Sequence, residues 1–239
     1  MKRIAMWSGP RNISTAMMRA WENRGDTYVT DEPLYACYLK ITGIEHPGRN
    51  DILASMSSDW KTVTKHISTA TPDNRKIWYQ KHMTHHLLDG QNRKWLDDLI
   101  HAFLIRKPEE VALSYARVRE QPTPEDLGFP QQTELFDRIA NKTGTPPPVI
   151  DARDVLEKPE RPLKALCQAL EVPFTDKMLH WPKGPRDSDG IWAKFWYASV
   201  EASEGFAPYT PTEGIVPEHL KPVVAACRPY YEKLVPFRL

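Results

Sequence analysis

The 239-residue chain has only three cysteines, Cys37, Cys167 and Cys227, with no C-x-x-C pair among them. That excludes a disulfide framework and a cysteine-built zinc site as organising devices, and it suits a reducing compartment. It has no surplus of either charge: 32 Lys and Arg stand against 31 Asp and Glu, a formal net charge of +1. No overall field therefore recruits nucleic acid or an anionic membrane, and any anion site has to be local. No apolar run approaches the length that spans a bilayer, and the N-terminus enters a strand pattern without the apolar core of a signal peptide. A cytoplasmic location is the expectation. Internal repeats and low-complexity tracts are missing as well. With 41% hydrophobic side chains the chain is long enough to bury a substantial core, and it reads as one domain over residues 1–239.

Against these absences, one stretch near the start organises the rest. Ile4, Ala5, Met6 and Trp7 form a short apolar run suited to a strand buried on both faces. Gly9-Pro10 breaks it, and Arg11-Asn12-Ile13-Ser14-Thr15 leads into a helical pattern over 16–24 with Met17, Met18 and Trp21 on one face. A strand, a tight turn and a helix N-terminus gather amide N–H groups and a positive dipole end at one point, with Arg11 beside it. That is a cradle for an anion such as phosphate. It is not the magnesium–nucleotide loop G-x-x-x-x-G-K-[ST]: counting from Gly9, Ser14 and Thr15 stand where that pattern needs Gly and Lys.

A second strand pattern over 26–30 runs into Asp31-Glu32-Pro33, two carboxylates at a strand's C-terminal end. In an open parallel sheet that end lines the ligand crevice, so Glu32 is a candidate base. Residues 38–76 read as an insertion able to cover a site, with one helix expected over 52–67. A strand over 76–80 is followed by Lys81-His82-Met83-Thr84-His85-His86. His82 and His86 have the spacing of helical zinc ligands, but Met83 occupies the place of the Glu in H-E-x-x-H, and no metal site is expected. Residues 99–105 form a strand pattern ending at Arg106, after which Pro108 opens a helix that carries Ser114 and Tyr115. A loop over 121–130, a helix over 132–143, a short strand over 149–151 and an amphipathic helix over 159–170 follow. The alternation of strand and helix predicts a three-layer α/β fold with a central, mostly parallel sheet flanked by helices. Beyond it, 181–197 is basic and aromatic, suited to a cover over an anionic ligand, and 217–234 reads as a closing helix.

Together these segments resemble the sulfotransferases that use 3′-phosphoadenosine 5′-phosphosulfate, in the right order over most of the chain, and more specifically the branch that includes bacterial enzymes. Pro10-Arg11-Asn12-Ile13-Ser14-Thr15 is similar to the 5′-phosphosulfate loop P-[KR]-S-G-[ST]-T, with Asn12 for Ser and Ile13 for Gly. The backbone at Ile13 is accordingly expected to adopt a conformation open to a β-branched residue. Arg106 through Ser114 is similar to the 3′-phosphate element R-x-x-x-D-x-x-x-S, with Glu110 in place of Asp. Glu32-Pro33-Leu34 is similar to the E-P-L that follows the second strand in bacterial and carbohydrate sulfotransferases, and Lys81-His82 lies where cytosolic enzymes carry K-T-H. Lys183-Gly184 and 190–194, with Lys194, are similar to halves of a late R-K-G-x-x-G-D-W-K element.

The resemblance implies a P-loop-like sulfotransferase fold, the phosphosulfate nucleotide as co-substrate, and in-line transfer of a sulfuryl group to a hydroxyl or amine of a small-molecule acceptor, with no metal required. It implies Arg11 at the leaving phosphate with Pro10, Asn12, Ile13, Ser14 and Thr15, and Arg106 and Ser114 at the 3′-phosphate, with Lys183 and Lys194 as further donor-binding residues. His82 or Glu32 is the base, and the ordinary imidazole pKa favours His82. The 38–76 and 121–130 segments are expected to shape the acceptor pocket. Two rivals stand: a nucleotide or small-molecule kinase, against which the missing G-K-[ST] speaks, and a non-catalytic nucleotide-binding module on the same fold.

Overall fold

A computed structural model describes residues 1–239 except 71, 118, 120 and 212–215; residue 71 falls inside the segment read as an insertion. Five strands, β1 (Lys2–Ser8), β2 (Thr27–Asp31), β3 (Ile77–Met83), β4 (Ile100–Ile105) and β5 (Val149–Asp151), form one sheet in the order β2-β3-β1-β4-β5. All its pairings are parallel. β1 sits at the centre because Ile4 to Ser8 are fully buried, as a strand covered on both faces must be. Its register sets Ser8 opposite Met83 on one side and Leu104 on the other, which brings the C-terminal ends of β1, β3 and β4 level. The strand after β1 lies on one side of it and β4 on the other, so this edge contains the switch point where open α/β sheets form their crevice.

Helices cover both faces. On one, α1 (Ser14–Glu22) packs Met17, Met18 and Trp21 over Ile4, Met6 and Tyr79, next to Leu163 and Leu166 of α8 (Glu160–Ala169). On the other, Trp7 and Phe103 meet Val63 of α4 (Trp60–Thr69) and Phe136 of α6 (Phe129–Thr143). α11 (Lys221–Leu234) closes against α6 and α5 (Pro108–Tyr115).

Three expectations change. The helix anticipated over 52–67 is two, α3 (Arg49–Ser55) and α4, because Asp59 accepts a hydrogen bond from the Thr62 amide at 2.7 Å and starts a new helix. β3 runs on to Met83, so Lys81 and His82 lie within the strand and not after it. The last strand leads into its own short helix, α7 (Ala152–Glu157), before α8. All three cysteines are free and buried. Among the described residues no helix is long and apolar enough to cross a membrane.

Candidate active site

The turn after β1 is fixed by sterics and by one side chain. A Cβ at Gly9 would lie 2.4 Å from the Leu127 carbonyl oxygen, so only glycine lets these backbones approach. Asn12 then donates from Nδ2 to the Leu104 carbonyl at 2.8 Å, tying the loop to the end of β4. Arg11 and Ile13 both sit in the left-handed region, at φ 60° and 50°. The expectation for Ile13 is overturned: the backbone keeps a glycine-like conformation, held by the half-buried side chain packing onto the core beside α1. For a β-branched residue that conformation costs roughly 1–2 kcal/mol. The first turn of α1 carries no acidic side chain, leaving its amide end open to an anion.

Two segments distant in sequence close on this turn. Arg11 donates from Nε to Ser114 Oγ at 2.9 Å, and Arg106 donates from Nη1 to the Arg11 carbonyl at 2.9 Å. Glu110, the residue in the acid position of the Arg106 motif, accepts from Arg106 Nε at 2.7 Å and is steadied by the Tyr209 hydroxyl at 2.8 Å. Burial lowers the pKa of Arg11, and the nearby Arg117 and Arg106 guanidinium groups lower it further. Crowded, partly desolvated positive charge of this kind is relieved by a bound anion, which is what a donor with two phosphate ends would supply. Pro10 to Thr15, Arg106 and Ser114 all line one cavity of about 940 Å³.

A buried charge cluster borders the same cavity, which Glu32, Lys81 and Tyr197 also line. Lys81 Nζ donates to Asp31 Oδ1 at 2.8 Å, to Glu32 Oε1 at 2.6 Å and to the Tyr197 hydroxyl at 2.7 Å. Tyr197 in turn donates to Asp31 Oδ2 at 2.6 Å. The register pairs Asp31 with Lys81, and Glu32 turns out of the strand end at φ 39°. Burial alone would lower the Lys81 pKa, yet the two carboxylates outweigh it and raise it well above the ordinary lysine value. Glu32 is raised by burial and by Asp31 despite the opposing pull of Lys81. A carboxyl of raised pKa whose Oε1 is engaged by a lysine has the character of a general base.

His82 lies elsewhere. Alternation along β3 sends Lys81 to the cavity side and His82 to the opposite face, where its ring stacks on Trp7 at 4.3 Å and Nε2 meets Gln80 Oε1 at 3.0 Å. Burial pushes its pKa down to about 3, with His101 adding to the shift, and it does not line the cavity. Lys183 and Lys194 do not line it either: they are exposed and pair with Glu204 at 3.3 Å and Asp51 at 3.0 Å. Of the expected acceptor walls, the insertion contributes Tyr38 and 44–47, while 121–130 contributes nothing. The aromatic cover is present as Trp192, Trp196 and Tyr197. It is pinned down by Arg19, which donates from Nη2 to Asp189 Oδ2 at 2.6 Å, and by the Gly190 amide, which donates to Asp31 Oδ2 at 3.1 Å. Sequence reasoning missed the structural weight of Lys81, Tyr197 and His86; the strand-end position of Lys81 opposite Asp31 was the available signal. Among the described residues no group of three or more His, Cys, Asp or Glu is arranged to hold a metal ion.

The sulfotransferase domain family matches residues 1–236. Two Arabidopsis thaliana proteins, branched-chain-amino-acid aminotransferase-like proteins 1 and 2, are 38% and 36% identical over 204 and 207 residues, which is 85% and 87% of this chain. The match covers 36% of each, so the chain spans about a third of the length of these curated relatives. Among solved structures, the sulfotransferase domain from the curacin biosynthetic pathway superposes with a TM-score of 0.54 at 16% identity, covering 98% of this chain and 97% of that one. A sulfotransferase from Alicyclobacillus acidocaldarius gives 0.53 at 13% identity, covering 100% and 97%. The fold is theirs, and the chain belongs to the sulfotransferase domain family.

Proposed function

We propose that this chain moves a sulfuryl group from 3′-phosphoadenosine 5′-phosphosulfate to a nucleophile on a small-molecule acceptor. The observation that carries the reading is the meeting of Arg11 and Arg106 in one cavity, joined through Ser114 and the Arg11 carbonyl. When bound, the nucleotide supplies an activated sulfuryl group on a phosphate leaving group. Arg11, with Ser14, Thr15 and the amides opening α1, holds the leaving phosphate and neutralises the charge that grows on it. Arg106 and Ser114 hold the 3′-phosphate, and Glu110 fixes the plane of the Arg106 guanidinium. Glu32 takes the acceptor proton, in place of His82, and Lys81 and Asp31 keep its carboxyl in position. These cations and hydrogen bonds meet the needs of an in-line transfer without a metal.

The test is transfer of label from radiolabelled donor to a panel of alcohols, phenols and amines, run beside magnesium-dependent ATP turnover. Transfer to at least one acceptor with negligible ATP turnover is expected. Robust ATP turnover would mark a kinase, and nucleotide binding with no transfer across the panel would mark a non-catalytic module.

A further inference from the structure

His86 lines the cavity with both of its ring nitrogens left over. It closes the short turn after β3 and is 1% exposed. Its ring is clamped between Tyr35 and Tyr38, each 4.8 Å away and inclined by only 21° and 28°. Both faces are therefore covered, and the His85 ring stands across the His86 ring at 4.4 Å and 70°. Among the described residues neither ring nitrogen has a hydrogen-bond partner. Such buried groups ordinarily have one.

Glu32 stands opposite. Its Oε1 is taken by Lys81, and its Oε2 lies 4.0 Å from His86 Nε2. That gap is too long for a hydrogen bond, and one oxygen about 2.7–2.8 Å from both, at an angle of about 90°, would complete the pair. A bare nitrogen lone pair turned toward an ionised carboxylate would be repelled, so the tautomer with hydrogen on Nε2 is the favoured one. Burial keeps the ring neutral, its pKa lying well below the ordinary histidine value.

Resting on the sulfuryl-transfer reading, we propose that His86 and Glu32 together seat the acceptor's nucleophile, and that their pairing selects a hydroxyl over an amine. A hydroxyl oxygen has one hydrogen and two lone pairs. The hydrogen is donated to Glu32 Oε2, one lone pair accepts from His86 Nε2–H, and the other attacks sulfur. As the new O–S bond forms, the O–H bond breaks with its proton passing to Glu32. The bond from sulfur to the bridging oxygen breaks with its electrons leaving on the nucleotide phosphate, beside Arg11. A neutral amine has a single lone pair and cannot both accept from His86 and attack, while an ammonium has none.

The experiment uses matched probes, naphthol with naphthylamine, benzyl alcohol with benzylamine and hexanol with hexylamine, on wild type, His86→Gln and His86→Leu. Transfer rates are measured together with calorimetric binding of adenosine 3′,5′-bisphosphate. Wild type should prefer the alcohol of at least one pair by tenfold or more. His86→Leu should lower kcat/KM for that alcohol by about 10- to 100-fold, the scale of leaving one buried partner unmade, and erase the preference. His86→Gln, which keeps an N–H donor, should restore it in part. Bisphosphate affinity should be equal in all three proteins, which excludes misfolding as the cause. Equal alcohol-to-amine ratios in wild type and His86→Leu, or amine transfer without alcohol transfer, would overturn the assignment while leaving the donor reading intact. Failure of the bisphosphate to bind wild type would strike the donor reading itself.

Discussion

Replacing Lys81 by Met isolates the contribution of the buried charge cluster. Lys81 is 1% exposed and lies within 2.8 Å of oxygens from both Asp31 and Glu32, so the substitution leaves two buried carboxyls with no cation between them. Removing one partner of a buried pair costs about 3–5 kcal/mol. That is a large part of the roughly 5–15 kcal/mol by which a domain is stable. At about 2–4 °C per kcal/mol for a chain of this size, the melting temperature should fall by about 6–20 °C. The loss has a pH signature. Without the lysine, Glu32, already raised by burial and by the Asp31 charge against the pull of Lys81, rises further in pKa in the folded state. A group whose folded pKa is raised contributes stability that is present below its unfolded pKa and lost as pH rises through the folded one. The deficit of Lys81→Met relative to wild type should therefore be largest at about pH 8 and shrink toward about pH 5. Scanning calorimetry of both proteins without nucleotide reads it directly, because a ligand would shift either melting point by mass action. A deficit below about 2 °C, or one independent of pH, would refute the picture of two carboxylates held by one cation.

Three further outcomes follow from the site. Glu32→Gln should lower kcat by about 10²- to 10⁴-fold while bisphosphate binding stays within about threefold. In wild type, kcat/KM should fall on the acid side with a midpoint above the ordinary glutamate value of 4.5, since burial raises Glu32 and only its ionised form accepts a proton; a midpoint at or below that value would contradict the assignment. Ile13→Gly should relieve the left-handed strain but lose core packing and gain unfolded-state freedom, leaving stability within about 1 kcal/mol and bisphosphate affinity within about threefold. A tenfold loss of affinity, measured by calorimetry, would show that the isoleucine side chain and not the backbone shape is what the loop requires.

The layers of the fold were legible because apolar strand runs alternate with amphipathic helices, and the placement of Arg11 and Arg106 at one cavity was legible through the resemblance of their segments to the phosphosulfate loop and the 3′-phosphate element. The face on which Lys81 and His82 lie was not. Every residue of β3 is buried, so the apolar-polar alternation that reveals parity on a half-exposed strand is missing. A strand ending at Gln80 puts both residues just beyond it, where an imidazole near neutrality is the better base. Three more strand residues put His82 under Trp7 and Lys81 against Asp31. Lys183 and Lys194 lie off the cavity for another reason: their segment does cover it, but the lining is made by Trp192, Trp196 and Tyr197, and the lysines pair with surface carboxylates. Nothing in one-dimensional spacing separates the inner from the outer side of an irregular strap.

The central claim is that the turn after β1 and the segment Arg106 to Ser114 hold opposite ends of one doubly phosphorylated adenosine. It is tested most directly by calorimetry with adenosine 3′,5′-bisphosphate and adenosine 5′-monophosphate, which differ only in the 3′-phosphate, on wild type and Arg106→Ala. A charge-assisted contact of about 1.5–3 kcal/mol corresponds to about a 10- to 150-fold change in affinity. Arg106→Ala should weaken the bisphosphate by that factor and leave the monophosphate within about threefold. Equal weakening of both ligands, or a wild type that binds them equally well, would contradict it.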